Sequence, residues 1–327
     1  MKNSFNVLIT AAGVATAGNV ISALRSQRDF NFKIVAVDAD PLSYGLYLAD
    51  KFYIVPRAES KNYVPEIMKI CRKEKIDVLI PLWSNEILIY AEKRSEFEKI
   101  GVRIAISDPE TVRTCIDKYK FYKFLSKSGI PTAKTYLPED AGHLSLPVFI
   151  KMRSGSASKN AKKVSSREEL DVELKKNSDL IIQELLEGKE YTIDFVADSR
   201  GKVLSMVPRE RIEVRDGKAV KSMTVKNREI MSAVENAVNK LNLKGPGNAQ
   251  GIMTKSGFRI TEINPRFAAG GLPLSVKAGA NLPVLMIKDL FDLKITDKEK
   301  MFKENIFMIR YLTEIFVEKR NDRYALL

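Results

Sequence analysis

One histidine, two cysteines and one tryptophan among 327 residues remove several classes of chemistry at once. Histidine-rich zinc sites, haem sites and Ser/His/Asp triads all need imidazole. The single candidate, His143, lies in the loop-like stretch AGHLSLP and reads as an exposed residue. Cys71 and Cys115 fall far apart in segments with helical spacing, which gives neither a disulfide framework nor a metal-ligand pattern and suits a reducing cytoplasmic setting. No stretch supplies the ~18 consecutive apolar residues of a membrane span. The opening MKNSFNVLITAAGVATAGNVISAL imitates a signal peptide, but Gly13, Gly18 and Asn19 interrupt its apolar run and a strand-like segment follows, so it reads as strand, loop and helix. Chemistry without imidazole must rest on carboxylates, Lys, Arg, amides and backbone N–H groups, the partners of magnesium and phosphate.

What the chain has in plenty is positive charge, a formal net of +13, unevenly placed. Residues 1–110 hold 15 Lys and Arg against 14 Asp and Glu, which leaves 39 against 27 for residues 111–327. A basic region of this kind attracts nucleic acid, membrane surface or a small polyanion. No RRM-like aromatic box, zinc finger or dense basic block accompanies it, so neither nucleic acid nor membrane is expected as a partner. Most of the excess reads as solvated surface.

From Asn6 the chain alternates as an open α/β sheet does. NVLIT, KIVAVD, KFYIV, DVLIP and VRIAIS read as buried parallel strands, with helical stretches such as Asn19–Arg28 and Tyr63–Lys73 between them. Asp108-Pro109-Glu110 reads as a helix start. Beyond Gly129-Ile130-Pro131 the pattern changes to close strands with polar turns: LPVFIKM, DLIIQELL, EYTIDFVAD, KVLSMVP, NAQGIM and FRITEIN, with a helix over about Arg228–Leu241. Close strand pairs imply antiparallel sheet, so the fold class is α/β followed by α+β.

Two motifs compete for the chemistry. AAGVATAG, at Ala11–Gly18, follows a strand and opens a helix, with Asp38 ending the next strand. That resembles a dinucleotide fingerprint, but alanines stand at two of the expected glycines, and a ligand-free turn accounts for it equally well. The stronger motif is Glu262-Ile263-Asn264-Pro265-Arg266. Alternation puts Glu262 and Asn264 on one strand face, where a carboxylate and an amide oxygen can grip a hard cation. Gln250, on the preceding strand, offers a third oxygen, and Arg266 turns towards whatever the metal holds.

These residues resemble the ATP-grasp ligases, in particular the large-subunit modules of carbamoyl phosphate synthetase and stand-alone enzymes that join a carboxylate to an amine. The resemblance runs from about Asn6 to Leu293. It implies a Rossmann-like pre-ATP-grasp domain over residues 1–110 and a two-lobed ATP-grasp fold. The linker helices and small lobe would occupy 111–187, and the large lobe with a C-terminal extension 188–327. It also implies ATP with Mg²⁺, or Mn²⁺ in its place. Lys118, with Lys120 as a nearby substitute, is similar to the basic residue that reaches the phosphates. Lys151 is similar to the cation that precedes a phosphate-covering loop, here RSGSASKNAKK with only one glycine. Glu184, Leu185 and Leu186 are similar to the connector that reads adenine, and Glu190 to the acid that holds the ribose. Gln250, Glu262 and Asn264 match the metal positions; Gln250 is neutral where many relatives carry an acid.

The implied reaction is carboxylate activation as an acyl phosphate, displaced by an amine, a thiol or a similar nucleophile, with ADP and phosphate as products. Lys151 and Arg266 are the expected catalytic residues. Arg209, Arg211 and Arg215 recur with strand alternation and would share one face; Arg209 and Arg211 are the candidate substrate ligands. Small-molecule substrates are expected, and a homodimer is compatible with the pattern. Two rivals remain: a carboxyphosphate-forming, carbamoyl-phosphate-synthetase-like enzyme with a partner, and a non-enzymatic nucleotide- or polyanion-binding protein.

Overall fold

The computed structural model describes residues 3–155, 161–215, 217–320 and 323–327. The first apolar run becomes strand β1 (Ser4–Ile9), followed by helix α1 (Thr16–Arg25), β2 (Asn31–Asp38), β3 (Lys51–Ile54), α2 (Tyr63–Glu74), β4 (Val78–Ile80) and α3 (Ser84–Glu98). These strands form a parallel sheet in the order β3-β2-β1-β4. Alternation along β1 divides its side chains between two layers. Leu8 packs with Ile67 and Cys71 of α2 and Tyr90 of α3, whereas Val7 and Ile9 pack with Val20 and Leu24 of α1. Both faces are therefore covered, which explains the nearly continuous apolar strands.

The expected fifth strand, VRIAIS, does not form. Only a bridge between Val78 and Arg103 survives. Beyond it the chain is drawn away, because Ser107 exchanges hydrogen bonds with the backbone of Lys244 and Ala105 packs tightly over Gly245. The helix start at Asp108 does form, as α4 (Pro109–Ile116), but the Asp108 carboxylate pairs with Arg94 and Lys244 and caps nothing. In α5 (Lys118–Lys127) the Asp117 side chain accepts from the N–H groups of Tyr119 and Lys120 and so caps the helix.

A small antiparallel sheet follows, built of β5 (Thr135–Tyr136), β6 (Val148–Met152), β7 (Lys162–Val164) and β8 (Leu180–Glu184) in the order β5-β8-β6-β7. Helix α6 (Arg167–Lys176) packs Leu170 into its core. Part of the expected phosphate-covering loop, residues 156–160, lies outside the described residues.

The large sheet has six strands: β9 (Lys189–Ala197), β10 (Val203–Arg215), β11 (Lys218–Thr224), β12 (Gly245–Thr254), β13 (Gly257–Asn264) and β14 (Phe307–Ile309). Their order is β13-β12-β9-β10-β11-β14, antiparallel throughout. One face rests on α7 (Arg228–Lys240) through Ile230, Val234 and Val238. The segment Leu282–Leu290 bridges this sheet and the first. Leu285 and Ile287 share one buried cluster with Val7 and Ile34 of the parallel sheet and Val196 and Val207 of the large one. Among the described residues no helix is long and apolar enough to cross a membrane.

Candidate functional site

The register of the large sheet fixes which side chains meet. Gln250 lies opposite Glu262 and Thr192; Asn248 lies opposite Asn264 and Asp194; Arg209 lies opposite Thr192. Glu262, Asn264, Gln250, Glu190, Arg209 and Arg211 therefore project from one face. That face, the small sheet and the β1–α1 turn enclose a cavity of 530 Å³. Its lining includes Lys118, Lys151, Glu184, Leu185, Leu186, Glu190, Arg209, Arg211, Gln250, Glu262, Asn264 and Arg266, every residue named for the ATP, metal and substrate positions except Arg215 and Lys120. Arg215 sits past a register shift at Arg211 and Glu213 that breaks the alternation, and it pairs with Glu213 in solvent. Lys120 is exposed on α5, whereas Lys118 is buried and donates to the Gly155 carbonyl at 3.0 Å.

Charge in the cavity is incompletely compensated. The Lys151 ammonium stands 4.0 Å from the Glu262 carboxylate and 3.4 Å from the Thr261 carbonyl. Burial, reinforced by nearby Lys118, depresses its pKa to about 8 in spite of Glu262 and Glu190. For Glu262, burial favours the neutral acid, but Lys151 and Lys118 outweigh it and hold the carboxyl below its ordinary range. Burial raises the Glu190 pKa against the pull of Arg211. It lowers that of Arg266, which Glu262 partly supports.

The hydrogen bonds show how these groups are held. Gln250 and Asn264 donate to the same Glu262 oxygen, at 2.8 and 3.0 Å. Arg211 donates to Glu190 at 2.6 Å, to Gln250 at 3.1 Å and to the Gly217 carbonyl at 2.8 Å, while its Nε is buried without a partner among the described residues. Arg209 is engaged twice by Asp194, at 2.8 and 3.0 Å, and Asp194 also accepts from Ser275 at 2.7 Å. Each of the two candidate substrate arginines thus faces an internal carboxylate, because the same alternation that gathers the arginines also gathers Asp194 and Glu190.

Three cavity residues went unnoticed in the sequence. Asn248 donates to the Arg266 carbonyl at 3.1 Å, and Thr192 stands beside Gln250; both lie two positions from a residue already chosen, so alternation alone would have found them. Ser84 accepts from Arg266 Nε at 2.7 Å across 182 positions and carries no local signal. The first glycine loop, by contrast, is filled by the chain itself. Asp38 accepts from the Gly13 N–H at 2.7 Å, and a Cβ at Gly13 would lie 2.5 Å from the Ser43 hydroxyl. The Tyr44 hydroxyl accepts from the Gly18 N–H and donates to the Val14 carbonyl. Asp38, the acid that ends the next strand, thus closes the turn itself.

The donor set around Glu262 is oxygen-rich and free of sulfur and imidazole, as a hard cation requires. Among the described residues no three His, Cys, Asp or Glu side chains gather, so a metal here relies on Glu262 with the amides of Asn264 and Gln250. Gln250 would have to turn its oxygen from Arg211 to Glu262's side.

The structure thus has an α/β domain followed by two antiparallel sheets around one charged cleft, and comparison with known proteins finds similar chains. Residues 176–315 match the family model described as ATP-grasp in the biosynthetic pathway with Ter operon. Residues 7–105 match the PylC-like N-terminal domain. The chain therefore carries an ATP-grasp domain behind a PylC-like N-terminal domain. It is 23% identical over 273 residues to the carbamoyl phosphate synthase large chain of Thermoplasma acidophilum, covering 75% of this chain and 26% of that one. It is 28% identical over 182 residues to the D-alanine–D-alanine ligase of Petrotoga mobilis, covering 52% of this chain and 59% of the relative. Among solved structures, the biotin carboxylase domain of the Hydrogenobacter thermophilus 2-oxoglutarate carboxylase, in complex with MgADP, ADP and bicarbonate, has a TM-score of 0.75 at 15% identity. That alignment covers 93% of this chain and 73% of the other. The chain spans about a quarter of the carbamoyl phosphate synthase relative.

Proposed function

We propose that this chain is an ATP-dependent ligase that activates a carboxylate as an acyl phosphate and passes the acyl group to an amine or a similar nucleophile. The observation that carries this reading is the Lys151 ammonium, largely buried beside Lys118 in the cavity wall and, among the described residues, without a carboxylate closer than 4.0 Å. Such a cation calls for a polyanion, and the acid that opposes it, Glu262, is itself of the metal-ligating type. Mg²⁺ held by Glu262, Asn264 and Gln250 would draw electron density from the phosphates and neutralise their charge.

The chain's own residues do the rest. Lys118 and Lys151 fix the phosphates, the Glu184–Leu186 connector faces the base, and Glu190 accepts from the ribose. Arg266, steadied by Ser84, points its remaining N–H groups at the acid. One carboxylate oxygen bonds to the γ-phosphorus as the bond from that phosphorus to ADP breaks. The nucleophile then bonds to the acyl carbon, phosphate leaves, and the proton of the nucleophile passes to solvent or phosphate. No imidazole is needed. The D-alanine–D-alanine ligase relative is in keeping with an amine acceptor.

The test is a screen of carboxylic acids, alone and with amines, for Mg²⁺-dependent release of ADP. The active acid is then labelled with ¹⁸O in its carboxylate. Transfer of one label to inorganic phosphate is expected. Release of AMP, or ADP formation without label transfer, overturns the acyl-phosphate route; activity with bicarbonate alone points to carboxyphosphate formation.

A further inference from the structure

One buried acid has no part in the chemistry described so far. Glu86, in the first turn of α3, is 1% exposed, and four neutral donors meet its carboxylate. The backbone N–H groups of Leu82 and Trp83 donate to one oxygen at 3.0 and 3.1 Å, and the Thr10 hydroxyl donates to the same oxygen at 2.5 Å. Tyr63 of α2 donates to the other oxygen at 2.7 Å and accepts from Tyr90 at 2.9 Å. Burial raises the Glu86 pKa against the pull of these donors.

Glu86 does not line the cavity, but the segments it holds do. Leu82, Trp83 and Ser84 form part of one wall. Thr10 precedes the β1–α1 turn, whose Val14 forms part of another, as does Thr16 at the start of α1. Ser84 follows Trp83 directly and accepts from Arg266 Nε at 2.7 Å. A line of contacts therefore runs from the core of the first domain through the β4–α3 loop to the arginine that follows β13. Stability alone gives little reason for an acid at the head of this line, because replacing a buried charged group by an apolar one is often neutral or stabilising. An acceptor shared by two successive N–H groups fixes the direction of the loop, and with it the Ser84 hydroxyl.

Building on the ligase reading, we propose that Glu86 is a positioning residue for the transfer step: it fixes the Leu82–Ser84 loop and, through the Ser84 hydroxyl, aims the Arg266 guanidinium at the acid to be activated.

The experiment compares the wild type with Glu86→Ala, Glu86→Gln, Ser84→Ala and the double variant Ser84→Ala/Glu86→Ala, each assayed below its own melting temperature. Trp83 is the only tryptophan in the chain, so its fluorescence reports on the loop whether or not a substrate is known. In Glu86→Ala its emission should shift and its quenching by acrylamide should rise. With an active acid in hand, Glu86→Ala should lower kcat several-fold, as far as Ser84→Ala does, and leave the affinity for Mg–ATP unchanged. The double variant should lose no more than Glu86→Ala alone, because both changes release the same arginine. Glu86→Gln should recover both the fluorescence and kcat, since its amide oxygen can take the loop N–H groups while its nitrogen donates to Tyr63. Should Glu86→Ala fail to melt cooperatively, Glu86→Asp, too short to reach the loop and Tyr63 together, is read in its place. Wild-type kcat in the folded variant, losses that multiply in the double variant, or an ATP affinity that falls as far as kcat overturns the assignment. An altered Trp83 signal in a protein that turns over no acid upholds the hold on the loop and refutes the ligase reading; wild-type turnover with an unmoved Trp83 signal in the variant does the reverse.

Discussion

Lys151 allows the charge argument to be tested without knowing the substrate. Its pKa of about 8 lies well below the 10.5 of a free lysine, because burial penalises the ammonium more than Glu262 supports it. A shift of that size costs the folded, nucleotide-free protein about 3 kcal/mol whenever Lys151 is charged. The sign follows from linkage: the folded pKa is depressed, so the penalty is complete below pH 8 and fades as pH rises towards 10.5. At pH 7, Lys151→Met should therefore raise the melting temperature of the free protein by several degrees while removing most of the nucleotide affinity. Binding should carry the same signature. If only the ammonium form binds, a pKa of 8 predicts about a tenfold loss of ATP affinity between pH 7 and pH 9, over a range in which the phosphates are already fully ionised. Lys151→Arg, charged throughout, should show a flat profile. Calorimetric titration of Mg–ATP at several pH values checks this; equal slopes in wild type and Lys151→Arg, or a less stable Lys151→Met, would refute the assignment.

Glu262→Gln should abolish turnover measured as ADP release, and it should also lower the melting temperature of the free protein, because Lys151 and Lys118 lose the anion that partly offsets them. Ser84→Ala should reduce kcat several-fold with little change in ATP affinity, and Ser84→Thr should restore it, since the hydroxyl acts by holding Arg266. Gly271→Ala should destabilise the protein by roughly 1–3 kcal/mol in chemical denaturation, because the added methyl would collide with the guanidinium that Asp194 holds in place.

How far the sequence reveals this site depends on whether the information is local. Glu262, Asn264 and Gln250 were legible because strand alternation is an exact period of two and the hairpin between them is short, so face and partner both follow from spacing. Lys151 was legible as a cation at the end of a buried strand. Ser84 was not: it opens α3, whose apolar residues include the unbroken run Ile87-Leu88-Ile89-Tyr90 and whose helical face is weak, and its partner lies 182 positions away. VRIAIS failed in the opposite sense. Its composition suits a strand, yet hydrogen bonds from Ser107 to the distant Lys244 override that local preference.

The arginines of β10 show where a correct pattern still misleads. Alternation placed Arg209 and Arg211 on the cavity face, as the structure has them, but periodicity reports direction and not company. β9 runs alongside in antiparallel register, and its own alternation sends Asp194 and Glu190 to the same face, so two apparent anion ligands are neutralised before any substrate arrives. The two pairs differ in what they permit. Arg209 and Asp194 are almost fully buried, and Asp194 also accepts from Ser275, so their exchange for a ligand would strand a charge in the interior. Glu190 is 39% exposed at the cleft, and the Arg211 that holds it keeps a buried Nε without a partner among the described residues. A ribose hydroxyl donating to Glu190 would compete for the oxygen that Arg211 now occupies. Of the two arginines, Arg211 is the one whose partner nucleotide binding can take, and Arg209 is the one that shapes the loop beside it.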